Sequence, residues 1–124
     1  MTTRLRSFLL LRPAPGRLQD TLGLYRDRGT IEAAFPYGVL SGLILLPATD
    51  PEDIMVTSVW ADESGCESWC ASAERAEILA ALRPLPAADD AMTGWTGPDT
   101  GSPHDAYRPG VLLRIEHEAV AHPA

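Results

Sequence analysis

The sequence predicts an α+β domain with two helices on one face of a four-stranded antiparallel sheet, in the chain order β-α-β-β-α-β. Three observations lead there. An unbroken apolar run, Phe8-Leu9-Leu10-Leu11, precedes a stretch of helical spacing. Two apolar stretches, Val39 to Leu46 and Ile54 to Trp60, are separated only by the turn-forming Pro47-Ala-Thr-Asp-Pro-Glu-Asp. Val111 to Val120 then alternates apolar and charged residues after a second helical stretch.

The first strand is expected over Leu5 to Arg12, and its continuous apolar run suits a strand covered on both faces. Pro13, Pro15 and Gly16 end it. Leu18, Leu22 and Tyr25 follow at helical spacing, so Arg17 to Ala34 reads as the first helix, with Gly29 the point where it breaks. Pro36 cannot continue that helix, and Tyr37-Gly38 leads into the second strand. The second and third strands, joined by so short a turn, form an antiparallel hairpin. Asp62 or Ser64 caps the next helix, Glu63 favours its positive end, and Ser72 offers a second cap that divides it before Pro84. In the last strand Val111, Leu113, Ile115 and His117 are expected on one face, with Arg114, Glu116 and Glu118 on the other.

Pro84 to Pro109 is read as a long loop, with eight Pro or Gly residues among its 26. Trp95, His104 and Tyr107 argue against plain disorder there, so it serves as a lid over a site or as an arm onto a partner. With both helices on one side of the sheet, residues such as Leu40, Ile44 and Leu46, or their alternates, lie on the other side and need cover, which a second subunit supplies.

The length of 124 residues accommodates one domain spanning 1–124. A net charge of −7, with ten scattered arginines and no lysine, argues against nucleic acid. No stretch approaches the roughly 20 apolar residues of a membrane span, and Phe8 to Leu11 is too short for a secretory signal, so a cytoplasmic location is expected. Cys66 and Cys70 are four apart in a helix, poorly aimed for a disulfide and without a nearby His for a metal; they read as small buried side chains.

The segment Phe35 to Trp69 reads FPYGVLSGLILLPATDPEDIMVTSVWADESGCESW. Its pattern is Pro-Tyr-Gly, strand, hairpin, strand, Trp-x-Asp-Glu, and a helical Trp. It resembles the antibiotic biosynthesis monooxygenase family of ferredoxin-like, dimeric α+β barrels. The resemblance implies a homodimer with its sheets face to face and a substrate pocket between helices and sheet. It also implies a cofactor-independent oxygenase chemistry on aromatic polyketide intermediates, with molecular oxygen as co-substrate and no cofactor or metal. Two alternatives stay open: a polyketide cyclase or isomerase on the same barrel, and a non-catalytic accessory subunit. The family's haem-degrading branch has an Asn on the first strand, a Trp on the second helix and a His about ten residues later. Here Trp69 matches, but the other positions fall near Leu9 and Leu79, and the chain contains no asparagine at all.

A phenol-oxidising site needs a general base and donors aimed at the developing oxyanion. His104 is the candidate base because imidazole titrates near neutrality. Tyr37, beside Gly38, is placed to hydrogen-bond a substrate oxygen. Trp60 and Trp69 bracket the strand-to-helix corner as candidate substrate walls, and Trp95 and Tyr107 as candidate parts of a lid. His117 reads as a structural histidine of the core or dimer interface.

Overall fold

The structure is a computed structural model in which residues 4–47, 53–82, 92–99 and 113–121 are described. In chain order the elements are β1 (Leu5–Leu11), α1 (Leu18–Asp27), α2 (Thr30–Ala33), a 3-10 turn (Phe35–Tyr37), β2 (Val39–Pro47), β3 (Ile54–Trp60), α3 (Glu63–Cys70), α4 (Ala73–Leu82), β4 (Met92–Pro98) and β5 (Leu113–Val120). Every strand pairing is antiparallel, and the sheet order is β4-β1-β3-β2-β5.

The α+β class and the ferredoxin-like arrangement hold, with one correction. The sheet has five strands, and the strand beside β1 that completes the β-α-β-β-α-β unit is β4, inside the stretch read as a loop. The alternating C-terminal strand, β5, adds to the far side of β2. Glycines at 94 and 97 and the terminal Pro98 hide β4 from a reading by pattern, because such residues are tolerated chiefly at sheet edges. Long-range bonds hold it instead. Asp99 N–H donates to the Arg4 carbonyl at 3.1 Å, and the Asp99 carboxylate meets Arg6 Nε at 3.1 Å.

The local punctuation follows the sequence. Gly29 has φ of 58°, a left-handed conformation that glycine adopts without steric cost, and it separates α1 from α2. Asp62 caps α3 by accepting the Gly65 N–H at 2.9 Å, and Ser72 Oγ accepts the Arg75 N–H at 3.1 Å at the start of α4.

The main core lies between the sheet and the helices. Leu22, Tyr25 and Ile31 come down from α1 and α2, and Trp69, Ile78 and Leu82 from α3 and α4, onto Val39, Ile44, Ile54, Val56 and Trp60. Ile44 and Leu46 therefore belong to the helix side; their alternates Leu43 and Leu45 join Phe8 and Met55 in a second cluster on the opposite face. Phe8, Leu45 and Met55 are buried within the single chain.

Two irregularities in β2 pairing reset which residues face the helices. The register shifts between Val39 and Ser41, so Leu40 falls in a bulge against β3. On the β5 side, Ile44 pairs with His117 but Leu45 pairs with Ile115, leaving Glu116 as the extra residue. This bulge separates Ile115 from His117, which a strict alternation would place on one face. Ile115 and Val120 are exposed, whereas Ala119 enters the main core. No helix among the described residues is long and apolar enough to cross a membrane.

Candidate active site

A cavity of about 370 Å³ lies between the helix-facing side of the sheet and the helices. Its floor is open because of what the strands carry there. Ser58 of β3, Ser7 of β1 and Thr96 of β4 are partners in register, forming a row of small hydroxyl side chains across three strands. Gly94, also lining the cavity, removes a side chain altogether. Gly94 and Thr96 are exposed, so the cavity opens along the β4 edge.

The walls are aromatic and apolar. Trp60 and Trp69 both line the cavity, together with Val56, Ile31, Ile78 and Leu79. Trp60 Nε1 donates to Ser7 Oγ at 2.8 Å. That bond uses an acceptor position of the serine and leaves its O–H free to donate towards the cavity.

Further polar groups come from the helices. Tyr25, Thr30, Cys66, Cys70 and Arg75 all line the space. Burial pushes the Tyr25 phenol well above its ordinary value, with Arg75 opposing the shift, so it is a neutral donor at physiological pH. Burial, followed by the neighbouring Cys70, pushes the Cys66 thiol up to about 11. Both cysteines are free. Among the described residues no group of three or more His, Cys, Asp or Glu side chains is placed to hold a metal ion.

The residues singled out from sequence are distributed unevenly around this space. Trp60 and Trp69 line it. Tyr37 is half-buried and packs edge-on to Trp69, ring centroids 5.4 Å apart, and it is not among the lining residues. Trp95 lies on β4 opposite Phe8 in register. His104 and Tyr107 lie outside the described residues. His117 pairs with Glu32 of α2 at 3.0 Å, away from the cavity lining. Leu9 and Leu79, near which the sequence comparison with the haem-degrading branch puts its Asn and His positions, both line the cavity as apolar residues.

Tyr25 and Arg75 are among the polar lining residues to which the sequence assigned no role in the site. Each had a signal. Tyr25 occupies the apolar stripe of its helix with Leu18 and Leu22, where a phenol needs a polar neighbour. Arg75 is the only lysine or arginine between Arg28 and Arg83.

No family model and no curated protein matches this sequence. Solved structures do. A candidate antibiotic biosynthesis monooxygenase from Chloroflexus aurantiacus is 20% identical with a TM-score of 0.62, over 81% of this chain and 96% of that one. A second candidate monooxygenase of this kind, from Nitrosomonas europaea, is 11% identical with a TM-score of 0.68, over 82% and 94%. A conserved protein from Methanosarcina mazei is 18% identical with a TM-score of 0.66, over 77% and 92%. The fold of this chain is that of the antibiotic biosynthesis monooxygenases.

Proposed function

We propose that the protein is a cofactor-independent monooxygenase acting on an aromatic, polyketide-type intermediate. One observation carries the reading: a cavity of about 370 Å³ on a fold of this family, with two tryptophans in its lining and a row of hydroxyls on its floor. That volume lies in the range of small-molecule sites, roughly 300–1,000 Å³. Indole faces suit a planar polycyclic ring, and hydroxyls suit the oxygens at its edge.

For an anthrone the chemistry is a net exchange of CH2 for C=O. A base removes a proton from the acidic ring system, and the carbanion reduces dioxygen as a C–O bond forms. Loss of the second hydrogen with cleavage of the O–O bond gives the quinone carbonyl and one water. The Ser7 hydroxyl and the Tyr25 phenol are donors for the charge that develops on the ring oxygen. The described lining residues include no His, Asp or Glu, so the base comes from elsewhere in the chain, and His104 is proposed for it. The proposed assembly is a homodimer, supported by the exposed Ile115 and Val120 on the edge strand β5.

Oxygen uptake by the purified protein with an anthrone, without added flavin, nicotinamide or metal, tests the proposal. Catalysed uptake with quinone formation is expected, and it falls in His104→Ala. The absence of a carboxylate or imidazole from the described lining favours, as a second reading, a non-catalytic binding subunit. Saturable ligand binding with uptake no faster than the spontaneous rate across a panel of phenolic polycycles would establish that one instead.

A further inference from the structure

We infer that this cavity recognises a planar aromatic ligand carrying a negative charge at one edge, with Arg75 as the counter-charge and the Tyr25 hydroxyl as a further donor on the same lining. The inference rests on the reading of the cavity as the substrate site, and it adds the ionic class of the substrate.

The argument starts from the arginines. Arg6, Arg12, Arg17 and Arg114 are each paired with an aspartate or glutamate. Arg4, Arg26 and Arg28 are exposed and face water. Arg75 differs from both groups: it is half-buried, it lines the cavity, and no carboxylate among the described residues pairs with it. A guanidinium drawn partly out of water is stabilised by an anion, and the described residues supply none here.

A second, independent observation points into the same space. Tyr25 is only 3% exposed as a residue and lines the cavity, which its phenol reaches as a neutral donor. The Thr30 hydroxyl, also on the lining, is buried without a partner. Buried donors are almost always satisfied in folded proteins, so the unsatisfied Thr30 hydroxyl on this lining marks an atom a ligand is to meet. Arg75 and Tyr25 line the same cavity, and the guanidinium opposes the shift that burial imposes on the phenol. An ionised phenol or a ring carboxylate satisfies both, and the aromatic body then lies along Trp60 and Trp69.

Isothermal titration calorimetry on the full chain with matched pairs tests this. Anthracene-2-carboxylate is compared with anthracene-2-carboxamide, and 4-nitro-1-naphthol, ionised at neutral pH, with its methyl ether. The anion of at least one pair is expected to bind about 10-fold or more tightly than its neutral mate, the scale of one charge-assisted hydrogen bond. A preference in the first pair alone assigns a carboxylate, and in the second alone a phenolate. Arg75→Gln is expected to abolish the preference while the neutral mates still bind, Arg75→Lys to keep most of it, and Tyr25→Phe to weaken the anion about 5-fold. Equal affinities within both pairs, or a preference that survives in Arg75→Gln, would overturn the inference. Oxygen uptake fails or succeeds separately, since an anion preference needs no turnover and turnover of a neutral anthrone needs no anion preference.

Discussion

Replacing Gly65 by alanine tests how closely α3 is seated on the turn that precedes β2. A Cβ built at Gly65 would stand 2.1 Å from the Tyr37 backbone carbonyl oxygen, against 3.4 Å for an ordinary van der Waals approach. The difference is ~1.3 Å of displacement, and backbone rather than a flexible side-chain end must supply it. Moving α3 away loosens the Asp62 cap on the Gly65 N–H and the edge-on packing of Tyr37 against Trp69. Overpacking of this kind costs typically about 1–3 kcal/mol, and the better helix propensity of alanine returns up to ~1 kcal/mol. Because the edge-on Tyr37–Trp69 contact weakens at the same time, Gly65→Ala is expected to destabilise by about 1–3 kcal/mol. Gly23→Ala is the control, because Gly23 lies inside α1 and nothing stands within 4 Å of its built Cβ. That substitution gains propensity without a clash and is expected to stabilise by about 0.5–1 kcal/mol. Urea unfolding followed by tryptophan fluorescence measures both midpoints. If Gly65→Ala unfolds at the same urea concentration as Gly23→Ala, or higher, the close approach of α3 to the Tyr37 carbonyl is wrong.

Three further outcomes are expected. The part-buried Arg6–Asp99 pair anchors the end of β4, so Asp99→Ala should cost about 1–3 kcal/mol and accelerate amide exchange in β4 more than in β2. Unchanged β4 protection would mean the pair does not hold that strand. Hydrogen bonds from Gly65 and Ser64 hold the Asp62 carboxyl below its ordinary value, so its stabilisation is complete above the usual aspartate range and is lost as pH falls through the lowered folded value. Acid unfolding curves of the wild type and Asp62→Asn should therefore converge below about pH 4 and separate above it. Iodoacetamide at neutral pH should label the exposed Cys70 before the buried Cys66, whose thiol sits at about 11, and mass spectrometry of peptides cleaved after glutamate, which separates the two at Glu67, gives the order. Because that value is raised, the stability associated with Cys66 is fully present below about pH 8.5 and declines as pH rises through 11.

Local features could be read because they depend on neighbours in the chain. Gly29 breaks the first helix through its own backbone freedom, Asp62 and Ser72 begin helices through bonds three residues away, and the two apolar runs so close in sequence pair as antiparallel strands. β4 was not readable, because its place depends on Arg6 and on the edge of β1, more than 80 residues earlier. The same applies to the site. Trp60 and Trp69 stand out as large aromatics at a corner, but the hydroxyl row of Ser58, Ser7 and Thr96 exists only once three strands are in register.

By itself the sequence determined the class of the fold, the breaks in both helical stretches, and a likeness to one family carried by Phe35 to Trp69. The physics behind these is local: propensity, capping and periodicity act within a few residues and survive without the rest of the chain. Tertiary structure decided which strand completes the sheet, which side of a bulge Ile115 takes, and that Tyr25 and Arg75 meet at one cavity. Those outcomes come from packing between distant segments, where a one-residue slip in register exchanges the two faces of a strand.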